Sequence, residues 1–241
     1  MATRPHVRTR PNPTISANEL AKYLVSGDHA REGILRRAKE VSTAAVIRYR
    51  ELRQGLVAYL SDPQRPLLRL VELEEALEQR ASDTSLTPFS REDASASLEA
   101  LAAFHRLGNR FGPMSFRAPA TWPGPLAIEG VAVNVYPDLA LVQEARSGPR
   151  YGVAIMRFAK GEDRESENGA TRRAEIGRYV ATLALMQAQA HCRDGHIAHH
   201  TLCQAIDVQN EDVISIGPSQ TRRVNDIRAA CRGIARAWPN L

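Results

Sequence analysis

Residues 130–160 read GVAVNVYPDLALVQEARSGPRYGVAIMRFAK. Here the hydrophobic period drops to two. Val131, Val133 and Val135 alternate with Ala132, Asn134 and Tyr136, the pattern of a half-buried strand. Pro137 breaks the run, because proline has no N–H to give to a ladder. Leu139, Leu141 and Gln143 continue on a second strand, ARSGPR supplies a turn, and residues 151–158 form a third. Three strands with tight connections predict an antiparallel meander. The block also sets Asp138 at a strand start and Lys160 at a later strand end.

Working outward, residues 112–129 hold prolines at 113, 119, 123 and 125 and read as a connector. Upstream, residues 14–111 have helical spacing. Ser16 and Glu19 form a capping-box pattern before ANELAKYLV. Asp28 caps a second helix, HAREGILRRAKE, and a third spans about 43–60. A fourth covers LLRLVELEEALEQR, and Ser90 caps a fifth that carries Leu98, Leu101 and Phe104. Downstream, a helix over about 170–190 places Ile176, Val180, Leu183 and Gln187 on one stripe. TLCQAIDV and VISIG read as strands. The last helix starts near Ser219, with Val224, Ile227, Cys231, Ile234 and Trp238 on its apolar face. The expected class is α+β: an N-terminal helical region, then a mixed sheet flanked by two helices. The segments are a basic tail (1–13), a helical region (14–111), the connector (112–129) and a sheet domain (130–241).

Composition bounds the function. A 43% hydrophobic content supports a real core in 241 residues, and aromatics are only 5%. No apolar run is long enough to span a bilayer, and the proline-rich, basic start lacks a signal-peptide apolar segment. Three scattered cysteines argue against a disulfide framework and for a cytoplasmic protein. The net charge of +5 favours polyanionic partners. The sequence has no phosphate-binding P-loop, GxGxxG turn, GxSxG elbow or CxxC pair, so nucleotide hydrolase, dinucleotide enzyme and serine hydrolase are poor readings.

In its element order (helix, three strands, helix, strand) and in the phrases VYPDLAL and GVAIMRFAK, the chain resembles the PD-(D/E)XK nuclease-like superfamily over roughly residues 90–208. The ending, IDV followed by DIRAACRGIARAWP, is similar to that of bacterial proteins. The resemblance implies Mg²⁺-dependent phosphodiester cleavage, or a degenerate member that binds nucleic acid without cutting. It implies Asp138 as metal ligand and Lys160 as the residue that orients the attacking water. Phe158 departs from the pattern, since an acid belongs two residues before the lysine. Glu144 is the candidate for a migrated second metal ligand, sharing strand parity with Asp138. Gln187 is the candidate accessory polar group.

Two other constellations carry chemistry. His191, Cys192, His196, His199, His200 and Cys203 crowd zinc-competent ligands into thirteen residues, though in no finger spacing. Arg228, Arg232 and Arg236 form an i, i+4, i+8 stripe suited to phosphates, and Arg36, Arg37 and Lys39 cluster in the second helix. The rival expectation is a non-catalytic protein-interaction module, as in mobile-element or phage-defence systems, whose helical half binds a protein partner.

Overall fold

The computed structural model describes residues 8–41, 48–111, 114–119, 121–146, 148–159, 166–192 and 195–241. The architecture is α+β, with helices ahead of a mixed sheet and packed on both of its faces.

The chain opens with β1 (Arg8–Thr9) and β2 (Thr14–Ser16). The capping box forms: Glu19 N donates to Ser16 Oγ at 3.3 Å and Ser16 N to Glu19 Oε2 at 3.4 Å. It starts α1 (Ala17–Leu24). Next come α2 (Asp28–Lys39), β3 (Glu40–Val41), α3 (Arg50–Ser61), α4 (Leu68–Ser82) and α5 (Pro88–Leu107). Asp28 is the first residue of α2 rather than its cap, and it faces solvent in ion pairing with Arg31. The cap of α5 is Thr87, not Ser90; Pro88 takes the first helical position, where a missing N–H costs nothing. The described part of the third helix begins at Arg50, and residues 42–47 of its expected span lie outside the described residues.

The proline-rich stretch is more than a connector. It contributes β4 (Phe116–Arg117) and β5 (Leu126–Ile128), each short enough to avoid its prolines. Then follow β6 (Val131–Asn134), β7 (Leu139–Gln143), β8 (Arg150–Arg157), α6 (Glu167–His191), β9 (Ile197–Ala198), β10 (Gln204–Asp207), β11 (Asp212–Ser215) and α7 (Thr221–Ala237).

The expected three-strand meander is corrected. β7 and β8 pair antiparallel, but β6 leaves the main sheet and joins β5 and β2 in a small one. The residues between β6 and β7 include Pro137, which cannot extend a ladder, so the chain changes sheet there. The main sheet runs β11-β10-β8-β7-β4, with β9 beside the start of β8. β8 and β10 are parallel, joined across α6.

Alternation along β8 divides the interior in two. Val153 and Ile155 face α1, α2, α6, α7 and the small sheet. Ala154, Met156 and Phe158, the last just beyond the strand, face α3, α4 and α5. Helices from the N-terminal half therefore cover both sides of the sheet. The stripe of α6 is buried as its spacing predicts, and Gly177 admits Ile214 of β11: a Cβ there would stand 2.2 Å from Ile214 Cδ1. On α7, Ile227, Cys231, Ile234 and then Trp238 are buried. Trp238 Nε1 donates to Arg10 O at 3.1 Å, and Lys39 Nζ donates to the carbonyls of Trp238 and Leu241 at 2.8 and 2.9 Å.

Candidate functional site

Asp138 stands just before β7, held by its own N–H donating to Ala154 O at 2.9 Å. Its carboxylate is buried, 7% exposed, on the sheet face covered by α3–α5. Oδ2 accepts from Met156 N at 2.7 Å. Arg53 of α3, 85 residues upstream, brings Nη1 to 2.5 and 2.6 Å from the two carboxylate oxygens. The same guanidinium donates from Nη2 to Met156 O at 3.3 Å and lies 4.9 Å over the Phe158 ring. Tyr49 stacks on that ring at 5.2 Å. Phe158, at the place where an acid was expected, is thus the aromatic platform for an arginine.

Mg²⁺ does not fit this donor set. It requires near-octahedral oxygen ligation, usually with one or two carboxylates beside water and phosphate oxygens. Asp138 is already paired with Arg53, and the core on the sheet face covered by α3–α5 is apolar, with Ala154, Met156 and Phe158 among its residues. Glu144 is exposed beyond the far end of β7, about 20 Å along the chain at about 3.4 Å per strand residue. The fold does not bring the two carboxylates together. Lys160 lies outside the described residues. Gln187 belongs to α6, on the opposite face of the sheet, where its Nε2 donates to Gly124 O at 3.3 Å. Among the described residues no three His, Cys, Asp or Glu side chains are grouped to hold a metal ion.

The other sheet face carries a second arginine–aspartate pair. Parallel pairing of β8 and β10 sets Arg157 opposite Asp207. Arg157 Nη1 donates to Asp207 Oδ2 at 2.8 Å, and Asn210 Nδ2 donates to Oδ1 at 2.8 Å. Burial pushes the Asp207 carboxyl above its ordinary range against the pull of Arg157, and pushes Arg157 down against the pull of Asp207. Beside the pair opens a cleft of about 410 Å³ between α1, α2 and the start of α6. Lys22, His29, Arg37, Arg157, Arg172 and Arg173 line it, and no lining residue among those described is acidic. Arg172 Nη2 donates to Ser26 Oγ at 2.9 Å, which ties α6 to the end of α1. Sequence reading missed this cleft, because its cations lie on segments more than a hundred residues apart.

Arg228, Arg232 and Arg236 are exposed on the outer side of α7, as their spacing predicts; Arg232 pairs with Glu129 at 3.2 Å. The histidine–cysteine segment does not assemble. Cys203 is fully buried and its thiol is pushed up to about 11 by burial, the reverse of what a ligating thiolate needs. His199 stacks on His200 at 4.5 Å, and burial, Arg150 and His200 hold His199 below its ordinary value. Arg193 and Asp194 lie outside the described residues. Also missed in the sequence was an exposed aromatic pair, Trp122 and Tyr136, with ring centroids 4.6 Å apart. No described helix is long and apolar enough to cross a membrane. No family model and no curated protein matches this chain.

Proposed function

We propose that the chain is a nuclease-like nucleic-acid-binding protein that grips the phosphate backbone and does not cut it. The observation that carries this reading is the Arg53 guanidinium, which occupies the carboxylate of Asp138 where the resemblance implies a divalent ion. An internal cation balances the charge of the acid. It offers no exchangeable water, so it generates no nucleophile. Within the main sheet the order α5, β4, β7, β8, α6, β10, leaving aside the two-residue β9, is compatible with the resemblance, although topology alone is an associational warrant. The cationic cleft beside Arg157 and the exposed arginines of α7 supply the phosphate contacts. A cytoplasmic setting suits the three free cysteines.

The test is fluorescence anisotropy with single- and double-stranded DNA at two salt concentrations, with a cleavage assay in Mg²⁺ and Mn²⁺. The expected result is binding that weakens steeply with salt, a slope that falls by about one per cation removed in Arg37→Ala or Arg172→Ala, and intact DNA. Metal-dependent cleavage abolished in Asp138→Ala would restore the enzyme reading. Absence of binding at low salt would remove nucleic acid altogether.

A second reading, a protein-interaction module, draws on one observation. Leu67, Leu68 and Val71 at the start of α4 are 67%, 65% and 47% exposed. Sedimentation velocity decides it: self-association lost in Leu68→Glu, with no nucleic-acid binding, favours the module.

A further inference from the structure

A small pocket lies between the proline-rich stretch, the start of β8 and the end of α6, with a volume of about 110 Å³. Trp122, Tyr136, Val153 and Ala188 line it together with the polar side chains of Tyr151 and His191. Trp122 Nε1 donates to Val135 O at 2.8 Å, which anchors the indole at its N–H. Tyr136 lies against it at an interplanar angle of 34°. These rings remain 37% and 53% exposed in a chain with few aromatics.

The second observation is independent of the rings. Gln187, 2% exposed, lines the same pocket. Its Nε2 donates to Gly124 O, which fixes the orientation of the amide. Its Oε1 is buried and accepts no hydrogen bond among the described residues. A buried carbonyl oxygen left without a donor is costly, and a ligand N–H removes that cost.

We infer that this pocket holds one unpaired nucleobase, stacked on the Trp122–Tyr136 pair with a ring-edge N–H donating to Gln187 Oε1. The chemistry favours a base over other ligands. A base supplies a flat π-face for the aromatics, an edge donor for the amide, and no charge to be desolvated against Val153 and Ala188. Every natural base carries at least one such donor, so the pocket reads "unpaired" rather than a particular letter. The inference rests on the nucleic-acid reading for the natural source of the base. The pocket and the cationic cleft sit at opposite ends of α6, roughly 23 Å apart at about 1.5 Å per residue from Arg172 to Gln187.

The experiment titrates tryptophan emission with deoxyadenosine and deoxycytidine, then measures binding of a single-stranded oligonucleotide against an abasic strand of the same length. The nucleosides are expected to quench emission in a salt-insensitive way, and Trp122→Phe identifies the responding ring. Tyr136→Ala, at an exposed ring, is expected to weaken binding between about fivefold and a hundredfold. Gln187→Leu removes the buried oxygen together with the donor to Gly124 O, and in a variant that still unfolds cooperatively it is expected to weaken binding about tenfold. No quenching, or equal nucleoside affinity in folded Tyr136→Ala and Gln187→Leu, overturns the inference. An abasic strand that binds as well as the intact strand overturns it too and leaves backbone binding standing. Nucleoside binding without strand binding keeps the pocket and overturns the proposed function.

Discussion

The two faces of the main sheet each carry a buried arginine–aspartate pair, built in opposite ways. Arg157 and Asp207 sit on adjacent parallel strands, and their side chains are 5% and 2% exposed. Arg53 and Asp138 join a helix to a strand start, and Arg53 keeps 33% of its side chain exposed. The first pair is held by strand register. The second is held by helix packing, a cation–π contact and two backbone groups. The difference teaches where each charge gets its compensation. The inner pair depends on its partner and on Asn210, whereas water shares the load at the outer one.

The largest expected effect follows from the inner pair. Arg157→Met leaves Asp207 buried without its cation, and stability is expected to fall by about 3–5 kcal/mol in urea or guanidinium melts. Adding Asp207→Leu to that variant is expected to recover most of the loss, because two apolar side chains pack where two charges had to be desolvated. A double variant no more stable than the single one breaks the comparison. Arg53→Ala is expected to cost less, about 1–3 kcal/mol, since water reaches the vacated space. Millimolar Mg²⁺ is expected to leave the midpoint of Arg53→Ala unchanged, because one carboxylate makes no octahedral site. A metal-dependent rise in the midpoint would return Asp138 to the ligand role.

Titration sharpens the contrast through its sign. The folded-state value of Asp207 is raised by burial, so its contribution is fully present below the ordinary carboxylate range and is lost as pH rises through the raised value. Asp207→Asn is expected to flatten that decline in stability. Glu175 behaves oppositely. Burial works upward on it, but hydrogen bonds from Arg223 and Arg178 outweigh burial and hold it low. Its contribution is present above the ordinary range and is lost on acidification. At the surface this is about 0.5–1 kcal/mol, and Glu175→Gln in melts at two pH values measures it. The smallest effect is chemical. Cys203 and Cys231 are buried and pushed up to about 11 and about 12, so only Cys192 is expected to react with an alkylating reagent in the native state.

Much of the fold is legible in the sequence, because its signals are local. The Ser16–Glu19 box, the apolar stripes of α6 and α7 and the period of two in β6 each depend on neighbours a few residues away. The sheet to which β6 belongs is not local, since its partner β2 is more than a hundred residues earlier. The candidate site divides along the same line. Asp138 does sit at a strand start, as Pro137 predicts, but Arg53 reaches it from a distant helix whose phase alone says nothing of a carboxylate. One signal was available. An arginine inside RYGVAIMRF, an otherwise apolar strand, requires a buried acid at equal depth, and Asp207 in QAID is the residue that answers it.

The contact of Lys39 with the carbonyls of Trp238 and Leu241, 199 and 202 residues later, has a consequence for synthesis on the ribosome. α1 and α2 emerge first, yet the surface they pack against is finished only when α6 and α7 appear. At about 5–20 residues per second that delay is roughly 10–40 s, during which Leu20, Ile34 and Leu35 lack the part of their native cover that α6 and α7 supply. The core on this side of the sheet is therefore closed late in synthesis, by helices that follow α2 by more than a hundred residues.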